Sequence, residues 1–513
     1  MRQSRRLAIS RPIPARRLSL AGGLWCVGGV GMSEVRRLSM PTMLSFGFGN
    51  IAEGIKSTAY GAFLLFFYQQ VLGLSGSLAG LALAISVLSD AISDPLVGQF
   101  SDRFQTRWGR RHPLIAASAI PLAISFFLLF NPPTDLSQIQ LFSWLVCFAV
   151  FARISITFYD IPHLALGAEM AHDYEQRTTL FTISTLFRIA SGALITFTAY
   201  ELFFPTTEQF NPGILNPEGY FYLGMFCGLG MFVAMVVCVV GTWSEIPFLR
   251  KSSAPGASGL FGFFKEFASL FRSPSFRAIV LGLFFYLLYV NIERSLNAYI
   301  AVHFWGLPTE LISKMSLASL AGAILAFPMM RWLTRVFDKK YLLICVTGIP
   351  FINFNMFICG RLFFPGIFPD NDSPLIPYFV AFNYFVVGVV GLIIISTLNS
   401  MFADIADEYE EITDRRREGS LFAARSFSGK AAGAIGIMIG GVALDLIHFP
   451  EKAEYGSVPT ETIWQLGLVY APLASLMILI TLYFFSQYRI TRDLHEKIVD
   501  TIRTRRRAAQ ASE

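Results

Sequence analysis

Two carboxylates spaced four residues apart inside an apolar stretch are the first feature of this sequence that could do chemistry. Asp90 and Asp94 lie within residues 76–101 and share one face of any helix that forms there. Pro95 follows directly, and it has no N–H to donate to the carbonyl of Ala91, so that oxygen is left free beside Asp90. Two carboxylates and a spare carbonyl on one face favour a site for a monovalent cation.

A second polar group interrupts the apolar stretch 138–168. Thr157 and Asp160 stand three residues apart, and Pro162 again frees a backbone carbonyl one turn earlier. The pattern predicts a hydroxyl and a carboxylate on one helical face. The alternative is a neutralising ion pair between Asp160 and either Arg153 or Arg188, which would only hold helices together.

Further charges fall within apolar stretches, where an ionisable group costs about 2.5–3.5 kcal/mol to insert and is a functional candidate by default. Glu53 and Lys56 are three residues apart and either pair with each other or serve a function. Arg188 and Lys430 are lone cations that either reach the membrane surface or act inside. The neighbours Glu293–Arg294 point apart on a helix and carry less weight.

The composition explains where these charges sit. Of 513 residues, 54% are hydrophobic and only 15% charged, against about 25% charged in a soluble domain, which excludes a soluble globular protein. Outer-membrane barrels are excluded too, because their strands alternate polar and apolar residues. Twelve apolar segments are each long enough to cross a bilayer: 43–71, 76–101, 112–131, 138–168, 176–204, 219–244, 277–302, 308–335, 341–365, 374–402, 419–448 and 462–487.

The twelve segments divide into two halves of six. We predict an N-terminal half over 43–246, a middle loop over 247–276 and a C-terminal half over 277–487, as in many secondary transporters. Loops that follow even-numbered segments hold seventeen Lys and Arg, whereas the opposite loops hold two. Since cytoplasmic loops carry the basic excess, both termini should be cytoplasmic.

The net charge of +6 does not indicate nucleic-acid binding, because residues 1–40 alone hold eight Arg and one Glu. We expect residues 1–42 to be an unstructured basic extension, or the product of a start site upstream of a true start at Met32; a signal peptide is the alternative. Residues 488–513 form a second basic, cytoplasmic tail.

Several motifs together resemble the glycoside-pentoside-hexuronide:cation symporters of the major facilitator superfamily, the family of melibiose permease. They are Ser89 to Gly98 in segment two, the loop Arg107 to Pro113, Tyr159 to Pro162 in segment four, and Ala403 to Tyr409 after segment ten. The resemblance covers about residues 43–490. It implies an all-α protein of twelve transmembrane helices with the superfamily fold.

The resemblance also implies roles for individual residues. Its cation site corresponds to Asp90, Ser93, Asp94 and Thr157, and its sugar-contacting positions to Asp160 and Arg188. Lys430 matches a lysine of segment eleven, and Glu53 stands in the segment-one sugar region. Candidates for gating or coupling are Arg153, Arg110, Arg111 and Arg416. Two departures stand out: Glu53-Gly54 replaces a Lys-Asp pair, and Leu164 replaces an aromatic residue.

The leading hypothesis is therefore a symporter, not an enzyme, that couples Na⁺ or H⁺ to a sugar or glycoside by alternating access and needs no cofactor. A sodium-dependent lysophospholipid symporter of the same fold is the alternative. A membrane-embedded prenyltransferase is a remote one, because Asp90 and Asp94 resemble half of its magnesium site and Asp404 and Asp407 would have to supply the rest. We expect a monomer in the plasma membrane, or in the inner membrane of a bacterium.

Overall fold

The computed structural model describes residues 37–104, 106–171, 174–249, 270–413, 418–453 and 456–512. These residues form an all-helical membrane protein, as predicted. Eleven helices in the described ranges are long and apolar enough to cross a bilayer. The remaining predicted span, segment one, is helical as well but is divided into shorter pieces.

Segments two to twelve begin and end close to the predicted positions. In chain order their helices are Gly76–Arg103, His112–Leu129, Gln138–Met170, Gln176–Phe203, Pro217–Gly241, Pro274–Phe304, Thr309–Val336, Lys339–Phe363, Ile376–Thr413, Glu418–Leu446 and Thr460–Ser486. Segment ten differs most, because its helix continues about three turns beyond residue 402 through an acidic stretch rich in Glu. Glutamate is a good helix former, and the apolar pattern marks only the part of a helix within the bilayer.

Segment one is a broken helix rather than one continuous span. Ser39 caps its first part, Met40–Gly49, and Asn50 separates this part from Ile51–Ala59. Two π-helical turns, Tyr60–Leu64 and Phe67–Val71, complete the segment. Such turns inside a helix are uncommon and are often found at functional sites.

Glycines let the halves of the molecule approach closely along segments two and eleven. A Cβ added to Gly76 would lie 2.5 Å from the carbonyl oxygen of Gly441, and one added to Gly441 would lie 2.1 Å from that of Gly76. Small residues at such a contact allow two membrane helices to pack backbone against backbone. This packing brings the middle of segment two, with its two carboxylates, beside segment eleven.

Polar contacts also join the two halves at the end where segments one and two meet. Asp445 accepts hydrogen bonds from the backbone N–H of Gly76 and Ser77 at 2.8 and 2.9 Å. Glu310 accepts one from the N–H of Thr206 at 2.9 Å. We call this the closed end of the bundle.

The opposite end is held by contacts inside each half. In the C-terminal half, the Lys339 ammonium pairs with Asp404 at 2.8 Å. The basic tail, predicted only as an extension, forms the helix Arg492–Ser512. Its Ile498 and Ile502 are buried in a hydrophobic core with residues of segments seven, nine and ten.

Candidate transport site

A cavity of about 390 Å³ lies between the two halves, and charged side chains from both halves line it. The acids are Glu53, Asp90, Asp94 and Asp160, and the bases are Lys56, Arg153, Arg294 and Lys430. Segments one, two and four supply six of these side chains; segments seven and eleven supply the other two. Charges of both signs in equal number suit a hydrophilic cargo better than a hydrocarbon chain.

The residues predicted to hold a cation are close together in the structure. The Thr157 hydroxyl donates to a carboxylate oxygen of Asp94 at 3.1 Å and lies 3.3 Å from the hydroxyl of Ser93. The Lys430 ammonium binds the other oxygen of Asp94 and lies 3.7 Å from Asp90. Two carboxylates thus converge on one positive charge, which the protein itself supplies through Lys430, and the two hydroxyls lie beside Asp94.

Asp90 is tied to Arg153, and one of its oxygens is left without a partner. The Arg153 guanidinium donates to Oδ2 of Asp90 at 2.8 Å, so Arg153 pairs with Asp90 and not with Asp160. The same guanidinium lies over the ring of Tyr60, 4.8 Å from its centroid. Oδ1 of Asp90 is buried and has no hydrogen-bond partner among the described residues. A buried, unsatisfied carboxylate oxygen is a position where a cation can bind.

Glu53 and Lys56 in segment one form an ion pair. Their charged atoms are 2.6 Å apart, and both side chains are largely buried. Pairing within one helix neutralises both charges locally. The structure therefore supports the simpler of the two interpretations that the sequence left open, while keeping both side chains on the cavity wall.

The structure does not bring Asp160 and Arg188 to the same cavity. Asp160 lines the central cavity, whereas Arg188 lines a second cavity of about 490 Å³. Ser57 and Arg294 line both cavities and so mark the boundary between them. The distance in sequence between segments four and five gave no information on this separation.

The second cavity differs in character from the first. Its charged lining residues are Arg188, Arg294 and Glu293. Another part of its wall is apolar and consists of Ile312, Leu320, Phe354 and Val387, with several small residues. Leu164, which departs from the family pattern, is 58% exposed and lines neither cavity.

Four residues were predicted to gate or couple transport. Arg153 lies in the central cavity, and Arg110 and Arg111 lie in the N-terminal half at the end opposite the closed end. Arg110 binds Glu169 at 2.6 Å, and Arg111 binds both Glu169 and Asp102, at 2.9 and 2.7 Å. This cluster joins the ends of segments two and four to the loop between segments two and three. Arg416 lies outside the described residues.

Among the lining residues of the central cavity, Asn291 and Tyr60 were not singled out from the sequence, and Arg294 was given little weight. Asn291 and Arg294 stand three apart in segment seven, on one helical face, and Tyr60 belongs to a π-helical turn of segment one. The spacing of Asn291 and Arg294 was the available signal. It was not used, because Arg294 was considered only together with its neighbour Glu293, which points to a different face of the helix.

Residues 45–492 match the family described as MFS/sugar transport protein. A protein named uncharacterized symporter sll1374, from Synechocystis, is 24% identical, and the match covers 92% of this chain and 98% of that protein. The isoprimeverose transporter of Lactiplantibacillus pentosus is 22% identical over 79% of this chain and 78% of its own length. The sodium-dependent lysophosphatidylcholine symporter 1 of Gallus gallus is also 22% identical, over 89% and 88%.

Solved structures share the fold. The inward-open xylose transporter XylE of E. coli has a TM-score of 0.54 at 14% identity, covering 88% of this chain and 95% of XylE. A bacterial homologue of the drug peptide transporters PepT1 and PepT2 has a TM-score of 0.59, covering 87% and 97%. The similarity to symporters predicted from the motifs is confirmed. Since the family and these relatives are transporters, the prenyltransferase alternative is set aside, and Asp404 pairs with Lys339 away from Asp90.

Proposed function

Because the chain belongs to the MFS/sugar transport protein family, we propose that it is a cation-coupled symporter of a sugar or glycoside. The observation that carries this proposal is the central cavity. There, a cluster suited to a cation adjoins the carboxylate of Asp160, which forms no ion pair among the described residues. Asp90, Asp94, Ser93 and Thr157 would hold the cation, and Asp160 would accept hydrogen bonds from cargo hydroxyls.

Lys430 gives the proposed cation site a means of coupling. Its ammonium binds Asp94 and lies near Asp90; it balances the charge of Asp94 in the absence of another cation, while Arg153 pairs with Asp90. A Na⁺ ion or a proton that neutralises Asp94 would release Lys430 from this pair. The freed ammonium would then be able to contact cargo in the same cavity, so that cation and cargo binding favour each other.

The proposed orientation follows from the basic loops. Both termini would be cytoplasmic, in an inner membrane if the source is a bacterium, and the closed end would face outward. Asp445 and Glu310 then belong to the outer barrier of a cytoplasm-facing state. Alternating access would require these contacts to break when the cavity opens to the outside.

A lysophospholipid is the second candidate cargo, and the second cavity is what favours it. Arg188 and Arg294 there could bind a phosphate, and the apolar residues Ile312 and Phe354 could contact an acyl chain. The central cavity argues for the sugar, because its lining is charged or polar over most of its extent.

Uptake by proteoliposomes tests the proposal. The purified protein is given a panel of labelled monosaccharides, glycosides and lysophospholipids, with a sodium gradient, a proton gradient or neither. We expect one sugar or glycoside to accumulate only when one of the two gradients is imposed. Accumulation of lysophosphatidylcholine alone would replace the sugar with the lipid, and gradient-independent equilibration of every compound would refute cation coupling.

A further inference from the structure

We propose, on the basis of the symport function above, that Arg294 is a cargo-binding residue that recognises an anionic group, either a carboxylate or a phosphate. The preferred cargo is then acidic rather than neutral. Arg294 stands at the boundary of the two cavities, so a cargo held there can reach Asp160 on one side and Arg188 on the other.

Most of the charged side chains in the central cavity are paired with one another. Three ion pairs, Glu53 with Lys56, Asp90 with Arg153 and Asp94 with Lys430, account for six of its eight charged side chains. Asp160 and Arg294 are the remaining two, and neither forms an ion pair among the described residues. The Arg294 side chain is exposed to the cavity, so its guanidinium is accessible to a cargo anion, which would complete the pairing of charges there.

Segment one holds the guanidinium of Arg294 in place. Nη2 of Arg294 donates to the carbonyl oxygen of Ser57 at 2.8 Å. A Cβ added to Gly61 would lie 2.1 Å from Nε and 2.3 Å from Cζ of Arg294. Only glycine at position 61 leaves room for the guanidinium to lie against the helix backbone. The side chain is thus placed in advance, and its other N–H groups are available for a two-point contact with an anion.

The carboxylate next to Arg294 in sequence, Glu293, is already engaged by neutral hydrogen-bond donors. Glu293 accepts hydrogen bonds from the Tyr470 hydroxyl at 2.8 Å and the Asn297 amide at 3.0 Å. It is directed toward these neutral donors, and the ion pairs of the described residues include none between Glu293 and Arg294. The second cavity therefore has two guanidiniums, Arg188 and Arg294, against one engaged carboxylate. A neutral cargo would leave both guanidiniums without an anion.

Matched pairs of compounds test the preference. The full-length protein in lipid nanodiscs is titrated by calorimetry with neutral methyl glycosides and with their uronate and 6-phosphate counterparts, which differ only at the last carbon. Lysophosphatidate and monoacylglycerol form a corresponding lipid pair. We expect the acidic member of a pair to bind at least 10-fold more tightly than the neutral one. Equal affinity within every pair, or binding of neutral members alone, overturns the proposal.

Variants of Arg294 assign the preference to this residue. Arg294→Gln should weaken binding of the acidic compound about 10- to 100-fold and leave the neutral counterpart nearly unchanged. Arg294→Lys should recover part of the loss, since it keeps the charge without the fork. Arg361→Gln is the matched control, because Arg361 also donates to a single backbone carbonyl, that of Pro369 at 3.1 Å, and lines neither cavity.

Gly61→Ala displaces the guanidinium without changing any charge and should reduce the acid preference in the same direction. Gly348→Ala is its control, because a Cβ there meets nothing within 4 Å. A variant that loses affinity for acidic and neutral compounds equally would mean that Arg294 is structural, which overturns the proposal. The failure of the proposed function looks different: the sugar pairs then do not bind at all, and the lipid pair alone decides the role of Arg294.

Discussion

Replacing Asp94 by Asn should uncouple cargo from the cation. The cluster of Asp90, Asp94, Arg153 and Lys430 is electrically neutral, and Asp94→Asn leaves it with a net positive charge. A cation entering roughly 4 Å from an uncompensated charge meets about 4 kcal/mol of repulsion at an effective dielectric constant of about 20. That energy corresponds to a loss of cation affinity of about 1000-fold.

The consequence for transport can be calculated in the same way. One elementary charge that crosses a potential of about 100 mV supplies about 2.3 kcal/mol, enough for roughly 50-fold accumulation of the cargo. In proteoliposomes with such a potential, Asp94→Asn should lower the accumulation ratio to about one. Exchange of labelled for unlabelled cargo without a gradient should continue, because Asp160 and Arg294 are intact.

The control for this experiment is Asp500→Asn, which removes an exposed carboxylate on the C-terminal helix, 3.8 Å from Arg503, where an ion pair contributes little. This variant should accumulate cargo as the unmodified protein does. If Asp94→Asn accumulates cargo at the unmodified level and keeps its cation affinity, the reasoning about the charge of the cluster is wrong.

Three further predictions concern packing, pairing and orientation. Gly388→Ala should lower the thermal unfolding midpoint in detergent by several degrees, because the added Cβ would lie 1.9 Å from the carbonyl oxygen of Ser319. Gly391→Ala should leave the midpoint unchanged, because a Cβ there meets nothing within 4 Å. Equal midpoints for the two variants would contradict the close contact at Gly388. Glu53→Gln and Lys56→Met should each reduce uptake more than the double variant does, because each single change leaves a buried charge unpaired. Additive losses of uptake in the double variant would contradict an ion pair between these two residues. In a cysteine-free background, Lys452→Cys should react with a membrane-impermeant maleimide on intact cells and Lys339→Cys should not; the reverse pattern would invert the proposed topology.

The helices were predictable because their apolar runs are long. Segment two was predicted over 76–101 and forms Gly76–Arg103, and segment three was predicted over 112–131 and forms His112–Leu129. A span needs about 20 apolar residues, so the limits of a long apolar run can be read from the sequence. The division of segment one at Asn50 was not predictable in this way, because hydropathy does not report helix continuity.

The members of the site were predictable only in part. Asp90, Asp94 and Thr157 stand out because charged and polar groups are rare within apolar stretches. Their partners do not follow from the sequence: Lys430 binds Asp94 across 336 positions, and Arg153 binds Asp90 across 63. The first pair depends on how the two halves pack, and the second on how segments two and four pack within the N-terminal half. Arg294 was undervalued because it was considered together with its neighbour Glu293, which points in a different direction on a helix, rather than with Asn291 on its own face.

Sodium or proton movement driven by cargo tests the central claim most directly. Proteoliposomes containing the purified protein are given an inward gradient of the cargo identified in the uptake panel, with equal cation concentrations on both sides and no membrane potential. We expect the cargo gradient to drive labelled sodium, or protons recorded by an internal pH dye, into the vesicles against their resulting gradient, and Asp94→Asn to abolish this movement. Entry of the cargo without any movement of either cation would contradict symport.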